Sequence, residues 1–139
     1  MKVKVCGLSS KDQVTACIKL KTDFCGFILN YPKSHRNISF EKVSELTKIN
    51  KKKTKYVGVL VNPNNYELNK FSKLNLDYFQ IYGKYDNNLL VKIKNTLNIK
   101  IISAITVNKK SDVLKYKKVK DIADIILWDS SGLDRSLTW

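Results

Sequence analysis

A cysteine and an aspartate are the two side chains of this sequence best suited to proton transfer. Cys6 ends the short apolar run that opens the chain and precedes Gly7, and Asp129 ends the run "ILWD" far downstream. A thiol and a carboxylic acid can act as base and acid on one ligand when their pocket tunes both groups. The alternative for Cys6 is burial as a small apolar residue, and the alternative for Asp129 is a turn or capping role.

The other common cysteine chemistries do not fit this sequence. The three cysteines, Cys6, Cys17 and Cys25, are an odd number without a C-x-x-C pair, so neither a disulfide framework nor a thiolate metal site is predicted. No arginine follows any of them at phosphatase-like C-x5-R spacing, and a papain-like site would have to use His35, the only histidine. We interpret Cys17 and Cys25 as packing residues and expect reduced thiols.

Short apolar runs alternate with amphipathic helical patterns, which is typical of βα units and a parallel sheet. The runs are apolar almost throughout, as strands covered on both faces are, and they span residues 2–6, 24–29, 56–61, 78–82, 100–105 and 123–128. Helices are predicted between them at residues 11–20, 40–49, 66–73, 88–97 and 111–119. The capping-box spacing of Ser10 with Gln13, and of Asn64 with Glu67, marks two helix starts.

Two architectures fit this pattern, an open doubly wound sheet and a (β/α)8 barrel. The turn after the first run, "CGLSSKD", has one glycine and no G-x-G-x-x-G, and no Walker motif occurs, so nucleotide binding is not supported. In both architectures the chemistry gathers at the carboxyl ends of the strands. There the sequence offers Cys6, Asn30, Asn62, Tyr82, Thr106 and Asp129.

The strongly basic composition has a simple interpretation as a solvated surface. The chain has 139 residues, is 43% hydrophobic and carries a formal net charge of +14, and all its basic residues except Arg36 and Arg135 are lysines. Such a field attracts a small anionic substrate. A basic nucleic-acid-binding module remains an alternative, although no aromatic RNA-binding motif occurs. No apolar run approaches the roughly 18 residues of a membrane span, so we expect a cytoplasmic protein without a membrane partner.

Five short segments occur in one order along the chain: "KVCG" at residues 4–7, "GFILNYPKSHR" at 26–36, "VGVLVN" at 57–62, "FQIYG" at 79–83 and "LWD" at 127–129. The first two resemble the patterns K-[IV]-C-G and G-F-I-[FL]-x-x-[KP]-S-x-R of the phosphoribosylanthranilate isomerase family. The others resemble its third strand, its V-Q-L-H-G strand and its L-L-D strand end. The resemblance covers nearly the whole chain and implies a TIM-barrel fold.

The resemblance implies an enzyme of tryptophan, and hence aromatic amino acid, biosynthesis that needs no cofactor and no metal. This isomerase converts N-(5-phosphoribosyl)anthranilate into 1-(2-carboxyphenylamino)-1-deoxyribulose 5-phosphate by an Amadori rearrangement. Cys6 matches the family's general base, Asp129 its general acid, and Arg36 the residue that holds the anthranilate carboxylate. Gln80, in the fourth-strand motif, and Arg135, at the basic position of the loop after the sixth strand, are further substrate-binding candidates.

The sequence departs from the family pattern at three places. Tyr82 replaces the usual histidine of the fourth strand, and Ser103 stands where a basic residue is common in the fifth. The loop after Asp129 reads "SSGLDRSLTW" where the family has a glycine-rich G-G-x-G-K-x-F-D-W, so Asp134 takes a glycine position.

Residues 1–139 are expected to form a single barrel-type domain that lacks its C-terminal quarter. The sequence supplies about six of the eight βα units, and the last units of such barrels usually hold the substrate phosphate. An unclosed sheet exposes its edges. We therefore expect either a longer gene product or a second chain, a homo-oligomer included, that completes the barrel. A non-catalytic truncated remnant is an alternative, and indole-glycerol-phosphate synthase is disfavoured by "KVCG" and "LWD".

Overall fold

Six strands form one parallel sheet in the order of the sequence. The computed structural model describes residues 1–83 and 86–130, and in them each strand pairs in parallel with the next. The strands are β1 (Lys4–Cys6), β2 (Phe24–Ile28), β3 (Lys55–Val61), β4 (Tyr78–Tyr82), β5 (Lys100–Val107) and β6 (Ile125–Ser130). A doubly wound sheet would reverse its strand order. The unbroken order confirms the barrel prediction, and the six units form a curled half-barrel of the TIM type.

Helical segments connect successive strands. They are α1 (Lys11–Lys19), α2 (Phe40–Leu46), α3 (Asn65–Phe71), α4 (Asn87–Lys92), a π-helical turn (Ile93–Leu97) that continues α4, and a 3₁₀ helix (Lys110–Lys118). Both predicted capping boxes form, at the starts of α1 and α3. None of the helices in the described ranges is long and apolar enough to cross a membrane.

Two of the predicted helices differ from the structure. The fifth is a 3₁₀ helix, in which Asp112 folds back and accepts hydrogen bonds from the N–H groups of Asn108 and Lys109, at 2.9 and 3.0 Å. The second ends at Leu46, before the predicted residue 49. The dense lysine cluster at 51–53 is placed by the sequence where this helix is predicted to end, and positive charge favours a helix C-terminus. In the structure the cluster lies beyond the helix end.

The main apolar core lies between the sheet and the helices. Alternate strand residues point towards the helices, among them Phe27 of β2, Leu60 of β3 and Phe79 of β4, all of them fully buried. The residues between them face the inside of the curled sheet, where Phe24 and Ile102 belong to a smaller cluster. The sheet thus has an outer face for packing and an inner face on which a ligand site can form.

An aspartate stands directly before every even-numbered strand and joins it to the strand that precedes it. Each carboxylate accepts a hydrogen bond from a backbone N–H at the start of the preceding strand, at 2.7 to 2.8 Å. Each aspartate also donates its own N–H to the carbonyl of that same residue, at 2.9 to 3.0 Å. The pairs are Asp23 with Val3, Asp77 with Tyr56, and Asp124 with Ile101. We call these three pairs the aspartate clamps.

The Asp77 clamp has an additional partner. Lys51 Nζ lies 2.8 Å from Asp77 Oδ2, and only about a fifth of either side chain is exposed, at 20% and 21%. A partly buried carboxylate that holds both a backbone N–H and an ammonium is more stabilising than an exposed ion pair. Lys51 therefore supports a strand junction rather than a helix end.

We expect the Asp77→Ala variant to lower the free energy of unfolding by about 2–3 kcal/mol, because it leaves the Tyr56 N–H without its charged acceptor. Urea denaturation followed by circular dichroism measures the change. Asp121→Ala removes the same charge at an exposed turn and should change stability by less than about 0.5 kcal/mol. Equal losses in the two variants would contradict the clamp.

Candidate active site

Cys6 and Arg36 meet at the carboxyl ends of β1 and β2. Cys6 is the last residue of β1, and Arg36 Nη1 donates a hydrogen bond to its backbone carbonyl at 2.8 Å. Gly7 follows with a φ of +79°, and a Cβ at this position would lie 2.6 Å from Arg36 Nη1. Only glycine combines this backbone conformation with so close an approach. The "CG" pair therefore places a guanidinium beside the half-buried cysteine.

Lys4 is a further candidate site residue, and the sequence analysis missed it. A Cβ built on Gly26 of β2 would lie 2.9 Å from Cys6 Sγ and 3.1 Å from Lys4 Nζ, so both side chains reach the space above this glycine. Lys4 lies two residues before Cys6 and hence on the same face of β1. The two-residue spacing of Lys4 and Cys6 is the sequence feature that could have predicted this position. An ammonium group at this point attracts an anionic ligand.

Asp129 is linked to Gln80 through Tyr82. The Tyr82 hydroxyl donates to Asp129 Oδ2 at 3.0 Å, and Gln80 Nε2 donates to that hydroxyl at 3.1 Å. Asp129 lies inside β6, which continues to Ser130, whereas the sequence pattern predicted a strand that ended at residue 128. The structure thus connects two predicted site residues through one that the sequence placed at a strand end without assigning it a role.

The sheet register places these side chains on one face. Cys6 belongs to a row of paired residues that crosses from β1 through β2 and β3 to Tyr78 of β4. Gln80 and Tyr82 lie two and four residues further along β4, so they share the face of that row. The pairings of β4 with β5 and of β5 with β6 put Asp129 on it as well. The candidate acid and base therefore both belong to the inner face.

Ser103 lies on the opposite face. It is fully buried and pairs with Ile81, which belongs to the core between sheet and helices. The position at which the family commonly has a basic residue therefore faces the helices here and contributes nothing to the inner face.

Two asparagines make hydrogen bonds at the carboxyl ends of the strands, beside this face. Asn30 pairs with both backbone groups of Val61: its Oδ1 accepts from the N–H at 2.7 Å, and its Nδ2 donates to the carbonyl at 3.0 Å. Asn62 adopts a left-handed φ of 44° and donates its N–H to the Tyr82 carbonyl at 2.9 Å. A Cβ at Gly83 would overlap the Asn62 amide. These contacts hold the ends of β2, β3 and β4 together.

Arg135, the remaining predicted binding residue, lies outside the described residues. Within residues 1–83 and 86–130, no group of three or more His, Cys, Asp or Glu side chains is arranged to hold a metal ion. A cleft of about 440 Å³ lies at the opposite end of the strands, beside the Asp77 and Asp124 clamps and Lys100. It lies at the amino ends of β3 to β5, away from Cys6 and Asp129.

The other two cysteines are packing residues, as predicted. Cys17 and Cys25 are buried in the outer core, and burial raises the pKa of the Cys25 thiol to about 11. A thiol with this pKa is protonated at neutral pH and is therefore a poor nucleophile.

Iodoacetamide should alkylate Cys6 at least about tenfold faster than Cys17 or Cys25 in the native protein at pH 7.5, because only Cys6 is partly exposed. Peptide mapping by mass spectrometry after timed quenching measures the three rates. In urea the rates should converge. Faster native labelling of either buried cysteine would show that this part of the fold is wrong.

A family model described as N-(5'phosphoribosyl)anthranilate (PRA) isomerase matches residues 3–137. The chain belongs to this family. The N-(5'-phosphoribosyl)anthranilate isomerase of Streptococcus mutans is 34% identical over 99% of this chain and 67% of its own length. This membership confirms the resemblance that the five segments indicated.

Solved structures of PRA isomerases share the fold. A monomeric form of the dimeric isomerase from Thermotoga maritima superposes with a TM-score of 0.83 at 26% identity, over 100% of this chain and 69% of that one. A PRA isomerase in complex with reduced 1-(o-carboxyphenylamino)-1-deoxyribulose 5-phosphate gives a TM-score of 0.80 at 28% identity, over 94% of this chain and 66% of that one. The chain thus spans about two thirds of the length of these relatives.

Proposed function

We propose that this chain catalyses the isomerisation of N-(5-phosphoribosyl)anthranilate to 1-(2-carboxyphenylamino)-1-deoxyribulose 5-phosphate in tryptophan biosynthesis. The observation that carries the proposal is a thiol and a carboxylic acid on the inner face of the sheet, in a chain of the PRA isomerase family. The reaction moves protons within one molecule and needs neither an oxidant nor a reductant. Two positioned side chains are therefore sufficient to run it.

The proposed steps assign one proton transfer to each group. Asp129 protonates the furanose ring oxygen, the bond from this oxygen to the anomeric carbon breaks, and the nitrogen lone pair forms the iminium. Cys6, as a thiolate, then removes the proton from the adjacent carbon, and the electrons of that C–H bond neutralise the iminium. The resulting enolamine takes up a proton at the anomeric carbon and loses its enol proton, which yields the ketone.

Three side chains are proposed to bind the substrate. The Arg36 guanidinium suits the anthranilate carboxylate, because its planar fork can donate two parallel hydrogen bonds and is already held beside Cys6. Gln80 is 2% exposed, and its Oε1 has no hydrogen-bond partner in the described part of the chain, so it suits a substrate hydroxyl. Arg135, which lies outside the described residues, is proposed as a further substrate contact because it keeps the basic position of the family pattern.

The Cys6→Ala and Asp129→Asn variants should each lower kcat by about 10²- to 10⁴-fold, the contribution expected of one general acid or base. The decay of substrate fluorescence measures turnover. Cys17→Ala and Asp121→Asn make the matched changes away from the inner face. Their kcat should stay within about threefold of the wild-type value, because neither side chain reaches the proposed site.

Two results would contradict the proposal. One is full activity in both site variants, which would disprove the assigned acid and base. The other is a folded wild-type chain without turnover, which would favour the non-catalytic interpretation.

We infer that a second copy of this chain covers the open side of the half-barrel. In the described ranges β1 pairs only with β2 and β6 only with β5, and Val5 and Trp128 are 36% and 46% exposed. Unpaired strand edges favour association. Multi-angle light scattering should give at least a dimer for the purified chain, and Trp128→Lys should weaken it. A monomer with full turnover would rule out this partner.

We infer a cytoplasmic location. The proposed substrate is a phosphorylated metabolite, and the buried Cys17 and Cys25 are thiols, as is usual in a reducing compartment.

A further inference from the structure

The Tyr82 hydroxyl connects strands that are not neighbours. Tyr82 ends β4 and Asp129 lies in β6, so the phenol ring extends across the inner face of β5 to make its 3.0 Å hydrogen bond. Ala104 of β5 lies on this face, because it pairs with Leu127, two residues before Asp129. Its methyl side chain is small enough to let the ring pass. The small side chain of Ala104 therefore leaves room for the Tyr82 ring to cross β5.

The two hydrogen bonds at this hydroxyl have a defined direction. Gln80 Nε2 can only donate, and a carboxyl oxygen that carries no proton can only accept. Asp129 can therefore accept at Oδ2 while its acidic proton is carried on Oδ1. The hydroxyl of Tyr82 therefore accepts from Gln80 and directs its single proton to Asp129 Oδ2. A donor held in this way fixes the orientation of the carboxylate, because the phenol itself is anchored on another strand.

We propose that Tyr82 is the positioning residue of the general acid and that Gln80 Nε2 sets the direction of the Tyr82 hydroxyl. This inference rests on the proposed function. Tyr82 does not touch the reacting atoms: it holds the Asp129 carboxyl in the one orientation from which the acid reaches the furanose ring oxygen. The role concerns the chemical step and not substrate affinity, so its loss should appear in kcat rather than in KM.

The Tyr82→Phe variant should lower kcat by about 10- to 100-fold and leave KM within about threefold, because the carboxyl loses the hydrogen bond from Tyr82 and is less often in the reactive orientation. Tyr78→Phe is the matched control, since it removes the same hydroxyl four residues earlier on the same face of β4. It should change neither constant by more than about twofold. A fall in kcat that is equal in both variants would overturn the positioning role.

Substitutions of Gln80 test the direction of the hydrogen bond. Gln80→Glu introduces a carboxylate that can only accept, so the Tyr82 hydroxyl turns to it and leaves Asp129, and kcat should fall as far as in Tyr82→Phe. Gln80→Met removes the donor that sets this direction without adding a competing acceptor, so kcat should fall by less than in Gln80→Glu, while KM rises because a proposed substrate contact is lost.

The double variant Tyr82→Phe with Gln80→Glu separates this role from independent damage. Its kcat should be no lower than that of Tyr82→Phe alone, because the hydrogen bond that Gln80→Glu diverts is already absent. Additive losses in the double variant would overturn the directional role of Gln80. Unfolding midpoints measured for all variants show whether a loss of kcat reflects a loss of fold.

A spectroscopic measurement needs no turnover. The ¹³Cζ resonance of Tyr82, assigned by its absence in Tyr82→Phe, should shift in Asp129→Asn, while the resonances of the other tyrosines stay unchanged. An unmoved resonance would overturn the hydrogen bond itself. A wild-type chain without turnover would overturn the proposed function and the positioning role together, whereas wild-type turnover with unchanged kcat in Tyr82→Phe would overturn the positioning role alone.

Discussion

The register of the parallel strands decides which side chains can meet on the inner face. A slip of one residue would turn every inward side chain towards the helices, because alternate residues of a strand point to opposite faces. The aspartate clamps oppose such a slip, since each one holds the N–H and the carbonyl of a single residue at the start of the preceding strand. Their position at the amino ends leaves the carboxyl ends free for chemistry, as in other barrels of this type.

At the carboxyl ends, the strands and side chains are held in place by amide hydrogen bonds and by close approach at glycines, rather than by aspartate carboxylates. Asn30 continues the pairing of the sheet with its side-chain amide, in place of a further strand residue, and so keeps the end of β3 in position. Gly7 and Gly26 contribute by having no Cβ: one admits the Arg36 guanidinium, and the other the Cys6 thiol and the Lys4 amine. Larger side chains at these two glycines would have to displace the groups that make the site.

Strand positions were predictable because strands buried on both faces leave continuous apolar runs, and Tyr78–Tyr82 was predicted with its observed bounds. Cys6 and Asp129 were also predictable as candidate site residues, since the family motifs mark both. The connection through Tyr82 was not, because it depends on how far a phenol reaches across β5 and on the small side chain of Ala104. The 3₁₀ form of the fifth helix was not predictable, because the apolar pattern of residues 111–119 indicates a helical segment without fixing its type.

Tyr82 stands where the family usually has a histidine, and this difference changes how the fourth strand can contact Asp129, the proposed general acid. An imidazole changes its charge between about pH 5 and 8, so a contact that it makes with a carboxylate varies in strength over the physiological range. A phenol ordinarily titrates near pH 10 and is a neutral donor throughout that range. It is also longer, which allows it to span a neighbouring strand. In this chain a phenol directed by the buried Gln80 thus contacts the carboxyl group that protonates the substrate in the proposed reaction. This departure from the family pattern is therefore compatible with the proposed acid–base pair and with the proposed positioning role of Tyr82.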